Sequence, residues 1–157
     1  MQLPVFRTCL EHWEAARGTR QMPSRQNVHP ETIRAAIGYV GIIDVLRDGD
    51  RFDFRYRMFG TRMAEALGGD FTGRMIDEIK PAPYAAMLRR SYEETAIGGE
   101  PKFHRVYFTH NEKQRIYSRL LLPLAEDGAT TDRLWAITHA YEEFWVDLRQ
   151  LLQRRTG

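Results

Sequence analysis

The sequence predicts an α+β domain in which a pair of strands precedes a run of short helices, a longer helix follows, and three more strands come after it. Three observations carry this. Phe52 to Met58 alternates apolar and polar side chains and runs through Gly60-Thr61-Arg62 into helical segments broken by Gly68-Gly69 and Thr72-Gly73-Arg74. An apolar, β-branched segment precedes it at 39–46, and strand periodicity returns three times beyond residue 101. The element order is therefore β-β-α-α-α-β-β-β.

The individual elements follow from local chemistry. Val5, Phe6, Cys9, Leu10, Trp13 and Ala16 recur at helical spacing, which predicts an amphipathic helix over 5–17 that stops near Gly18. Met22-Pro23-Ser24-Arg25 reads as a connection, and His29-Pro30-Glu31 opens a turn of helix through Ala36. Residues 39–46 and 52–59 form a hairpin around Arg47-Asp48-Gly49-Asp50. Thr61 can cap a helix carrying Met63, Ala64 and Leu67, which Gly68-Gly69 ends. Ile76 to Ile79 allows one short turn before Pro81 and Pro83, and residues 83–97 form the longest internal helix, closed by Gly98-Gly99. Strands are expected at 102–109, 115–124 and 133–141, separated by turns at His110-Asn111-Glu112 and Glu126-Asp127-Gly128. A helix over 142–154 carries Phe144, Trp145, Leu148, Leu151 and Leu152 on one stripe.

A chain of 157 residues with 43% apolar side chains fits one domain with a single core at about 37–141, flanked by the two terminal helices. No run of about 18 apolar residues is present, and Met1-Gln2-Leu3-Pro4 carries no secretion signal. Cys9 is the only cysteine, so no internal disulfide can form and a cytoplasmic location is expected. The net charge of +2 comes from 23 basic and 21 acidic residues dispersed along the chain, which excludes long-range attraction to nucleic acid or lipid.

Met22-Pro23-Ser24-Arg25, the strand Phe54-Arg55-Tyr56-Arg57 leading to Gly60-Thr61-Arg62, Thr72-Gly73-Arg74 and Leu120-Leu121-Leu122-Pro123-Leu124 occur in an order that resembles a PAS domain, most of all the short bacterial PAS-like proteins. The resemblance covers about residues 10–142. It implies a five-stranded antiparallel sheet, helices across one face, a small cavity between them, and sensing or partner binding in place of catalysis. It also gives a test for cofactors. Flavin photosensors of the family use a cysteine after the second strand, and 60–74 contain none; haem-binding members use a histidine on or beside the long helix, and 83–98 contain none. Flavin and haem are therefore not expected, and the cofactor is unknown. Apolar character at almost every position of 39–46 and 133–141 places both strands in the sheet interior, in the order 2-1-5-4-3.

Strand alternation assigns Phe54, Tyr56 and Met58 to one face and Arg55, Arg57 and Phe59 to the other. It likewise sets His104, Val106 and Phe108 against Phe103, Arg105 and Tyr107, and Arg115, Tyr117 and Arg119 against Ile116, Ser118, Leu120 and Leu122. The aliphatic face should lie under the helices and the Arg- and Tyr-rich face outside, beneath the N-terminal helix. On the inner side, Tyr56, Met58, Met63, Met75, Leu88, Tyr92, His104, Val106 and Leu120 are candidate liners of a site for a small, largely apolar ligand. The same residues could instead fill a packed core. On the outer side, Arg55, Arg57, Arg105, Arg115 and Arg119 with Tyr107 and Tyr117 could meet phosphate, but solvated or carboxylate-paired arginines, with Glu11 and Glu14 as partners, fit better because no phosphate loop or RNA-binding consensus accompanies them.

The five histidines, at 12, 29, 104, 110 and 139, have no metal-binding spacing, and the Cys9–His12 pair has no third orienting group. The expectation is a non-enzymatic sensory or regulatory module that binds a small molecule, a signalling partner protein, or both. A homodimer through one terminal helix is expected, with no nucleic acid and no membrane. The alternatives are a cone-shaped enzyme of the ketosteroid-isomerase type using Asp44, Tyr56 or His104 as acid and base, and a packed interaction module without a ligand.

Overall fold

A computed structural model of the protein describes residues 4–29, 33–67, 69–110, 113–140 and 146–147. Helix α1 spans Pro4–Arg17, and strands β1 (Val40–Asp48) and β2 (Arg51–Phe59) form the first hairpin. Helix α2 (Thr61–Leu67), a 3-10 turn at Ile76–Glu78 and helix α3 (Ala82–Gly98) cross to the far side of the sheet. Gly99 ends α3 in the left-handed conformation, φ 64°, which lets its N–H reach the Thr95 carbonyl. Strands β3 (Lys102–His110), β4 (Lys113–Leu124) and β5 (Arg133–Ala140) complete the sheet.

Every strand pairing is antiparallel and the spatial order is β2-β1-β5-β4-β3, as expected from the apolar character of the two interior strands. Of the turn of helix expected from His29, a 3-10 turn at Arg34–Ala36 is described, while residues 30–32 lie outside the described set. The helix expected over 142–154 also falls mostly outside it. Its two described residues, Val146–Asp147, form a short strand, β6, on Gln114 and Lys113 of β4, so helix is not the conformation there.

The sheet has an apolar core on each face. On the inner face α3, α2 and the loop around Ile76 and Ile79 cover Ile43, Val45, Phe54, Tyr56, Val106 and Leu121. On the outer face α1 lays Val5, Phe6, Cys9 and Trp13 over Leu120, Leu122, Leu124, Trp135 and Ile137. The Trp13 indole N–H also donates to the Pro123 carbonyl at 2.8 Å. The apolar stripe of α1 is thus used within the chain, and it no longer requires a second copy.

Two face assignments differ from the alternation read in the sequence. A β-bulge lies between the Ile42–Met58 and Ile43–Tyr56 pairs, with Arg57 as the extra residue on β2. Beyond it the parity of β2 reverses, so Met58 joins Arg55 and Arg57 on the outer face and Phe59 enters the inner core. In β4, register with β3 pairs Tyr117 with Val106 and Arg119 with His104, which turns Tyr117 and Arg119 inward and sends Leu120 and Leu122 outward. The Leu120-Leu121-Leu122 run is apolar at both parities because β4 is buried on both faces. Counting aliphatic side chains could not choose between them.

Candidate functional site

The inner core is unusually polar at its centre. Strands β2 and β4 present Tyr56, Tyr117 and Arg119, and α3 presents Tyr84 and Tyr92, about two turns apart along its buried face. The four phenols pair across the interface between helix and sheet. Tyr56 and Tyr92 share a hydrogen bond of 2.6 Å, and Tyr84 and Tyr117 share one of 2.5 Å. Burial pushes all four phenol pKa values up, that of Tyr117 to about 12, so they keep their protons at neutral pH.

Arg119 stands among them and is 2% exposed. Its Cζ lies 5.2 Å from the centroid of the Tyr92 ring, within the range of cation–π attraction. None of its three guanidinium nitrogens has a hydrogen-bond partner, and no carboxylate pairs with it among the described residues. A guanidinium stays charged in protein interiors. Among the described residues, the centre of the core therefore holds a permanent cation without a counter-charge. Beside it on β3, His104 is half-buried, and its Nδ1 is enclosed without a partner. Desolvation, then the charge of Arg119, pushes the His104 pKa down, so the ring is neutral at pH 7.

Of the side chains expected to line the site, Tyr56, Met63, Leu88, Tyr92 and Val106 are buried together in the inner core, with His104 at its margin. Met58 and Leu120 are not in it. The bulge at Arg57 puts Met58 on the outer surface, and the β3–β4 register places Leu120 under α1. Met75 is half-buried at the sheet edge, where its backbone bridges to Arg55. Sequence reading missed Tyr84, Tyr117 and Arg119. Counting outward from a two-residue turn at Asn111-Glu112 would have paired His110 with Lys113 and so brought Arg119 beside His104.

The outer arginines are paired by a carboxylate, though a different one from those expected. Asp44 accepts from Arg57 Nε at 2.9 Å and lies 3.3 Å from Arg133 Nε and 3.4 Å from Arg55 NH2. Burial pushes the Asp44 carboxyl up, but Arg57, Arg133 and Arg55 together outweigh it and hold the pKa below the usual value. Glu14 bonds Arg17 on its own helix instead of reaching the sheet. Arg119 faces the inner core, and the side chain of Arg115 lies outside the described set. Of the acid–base candidates, Asp44 lies on the outer face of the sheet and Tyr56 on the inner face, so these two are not brought together. Among the described residues no cluster of His, Cys, Asp and Glu could hold a metal, and no helix is long and apolar enough to cross a membrane.

Comparison with known proteins agrees with this architecture. No curated protein matches. Among solved structures, the PAS domain of Bordetella pertussis BvgS is similar over 80% of this chain and 93% of its own, at 16% identity and a TM-score of 0.51. A sensory box sensor histidine kinase from Vibrio cholerae matches over 65% of this chain and 82% of its own, at 15% identity and a TM-score of 0.48. At 16% identity the likeness to the BvgS domain is one of fold. The family model described as PAS domain matches residues 1–138. The chain belongs to the PAS domain family.

Proposed function

We propose that the chain is a sensory module whose inner core binds a small, largely apolar molecule with one acidic group, received by Arg119 and the tyrosines around it. The family supports a sensory or signalling role in general, and Arg119 supports the ligand. A fully buried cation without a counter-charge is costly, and an incoming carboxylate would supply both the charge and the acceptors that it lacks. The phenol pairs of Tyr56 with Tyr92 and Tyr84 with Tyr117 can rotate their hydroxyls toward the same acceptor. Met63, Leu88 and Val106 would hold the apolar body.

No nitrogen of Arg119 is open to solvent in the closed core, so binding requires α3 to move from the sheet. That movement is the signal in this reading. It would be passed to a partner protein or a second copy in the cytoplasm, and neither flavin nor haem takes part. Native mass spectrometry of protein purified without denaturation, followed by a thermal-shift screen of small organic acids with their neutral amides, tests the proposal. An acid at 100 times its dissociation constant should add about 2.7 kcal/mol of stability. A core that retains nothing and responds to no acid would leave a packed interaction module.

A further inference from the structure

We infer that the outer face of the sheet carries a second and separate binding site, built for an amphipathic organic acid: a carboxylate or phosphate ester on a short apolar body. The site is a pocket of about 330 Å³ beneath the segment that links α1 to β1. That volume lies at the lower end of the range of small-molecule sites.

Its floor follows from strand register. Met58, Ile42 and Trp135 stand side by side on β2, β1 and β5 as one cross-strand row, and Met58 belongs to that row only because the bulge at Arg57 turns it outward. A bulge next to a site commonly serves to re-aim a side chain. Met58 is 42% exposed, a large apolar surface at the mouth of a pocket. Trp135 lines the pocket, and its indole N–H is buried without a partner.

The rim is cationic. Arg57 comes from the bulge, Arg133 from the start of β5 and Arg25 from the linking segment above. Asp44 is the carboxylate set among the sheet arginines, and it is shared by Arg55, Arg57 and Arg133. Arg57 and Arg133 each contact it through Nε. Arg25 makes no ion pair among the described residues. Burial, then the neighbouring charges of Arg57 and Arg25, pushes the Arg133 pKa down, while Asp44 and Asp132 oppose this. Three arginines thus gather at the rim around the Asp44 carboxylate. An apolar floor with three guanidinium groups at its rim fits a ligand that has an apolar body and an acceptor-only head.

The test titrates octanoate, octyl phosphate and neutral octanamide into the full chain by calorimetry, and repeats each with Arg25→Glu and Met58→Glu, alone and combined with Arg119→Met, and with Arg119→Met by itself. Arg25 and Met58 are surface positions, and urea midpoints check that their variants fold. Both acids should bind, and octanamide should bind about tenfold more weakly or worse, as loss of a charge-assisted contact requires. Arg25→Glu and Met58→Glu should each weaken the acids by about tenfold or more, and should do so equally when Arg119→Met has removed the inner-core cation. Three results would overturn the site: equal binding of acid and amide, acid binding indifferent to Arg25→Glu and Met58→Glu, or no binding of either acid. Acid binding lost only in Arg119→Met would place it in the inner core, which also overturns the outer site.

Discussion

Replacing Arg119 by methionine should make the empty protein more stable and deaf to its ligand. Each buried hydrogen-bonding group left without a partner costs about 1 to 3 kcal/mol, and more where the group is charged. All three nitrogens of the guanidinium are in that state. Against this stand the cation–π attraction to Tyr92, about 2 kcal/mol when desolvated, and the imperfect fit of a new side chain, about 1 to 3 kcal/mol. Methionine keeps an unbranched apolar stem and adapts to irregular gaps. Taking the middle of each range, the balance is a net gain of about 2 kcal/mol, which at this chain length raises the melting temperature by about 4 to 8 °C. Urea denaturation should show a higher midpoint with an unchanged slope. An acid held in the inner core should lose its stabilising effect on the variant. A variant less stable than the native protein by about 1 kcal/mol or more would show that the tyrosines satisfy the cation fully, and the argument for an anionic ligand would fail.

The other predictions concern the frame of both sites. Trp13→Ala removes a side chain that is 2% exposed and bonded to Pro123, and should cost about 3 to 5 kcal/mol by urea denaturation. Deleting residues 4–17 should uncover Leu120, Leu122, Leu124 and Trp135 and produce aggregates visible by light scattering. A Cβ on Gly60 would fall 2.3 Å from the Gly38 carbonyl oxygen, a backbone atom that cannot step aside, so Gly60→Ala should destabilise by about 1 to 3 kcal/mol. His104, with a pKa lowered in the folded state, binds its proton more readily when unfolded. Its contribution is intact above about pH 6.5 and falls away as pH drops from there toward the folded pKa, so His104→Gln should flatten the stability profile in that window and leave it unchanged above.

Sequence periodicity was enough for the architecture, because two apolar strands can only be interior and the glycines mark where helices must stop. It also located Tyr56, Met63, Leu88, Tyr92 and Val106 in the core. What it could not resolve was parity. Alternation assumes an unbroken strand, and one extra residue at Arg57 exchanges Met58 and Phe59 between faces. Hydrophobicity identifies a face only when the other is wet, and β4 is dry on both. Arg119 was misplaced for the further reason that an arginine on a strand is ordinarily a surface residue; only cross-strand register, with His104 opposite it, turns it inward.

The contact between Trp13 and Pro123 spans 110 positions of the chain. At about 5 to 20 residues per second, ribosomal synthesis leaves the Phe6–Trp13 stripe without its binding surface for roughly 5 to 20 s after it is made. The helix can form within microseconds in that interval, but it has nothing to pack against until β4 and β5 exist. Closing the outer core is therefore a late, long-range event in the birth of the molecule, and the nascent chain carries an exposed apolar helix throughout. Such a chain should need a holding chaperone more than its size suggests, and refolding from denaturant should be slowed by the same long loop closure even where the hairpins are already in place.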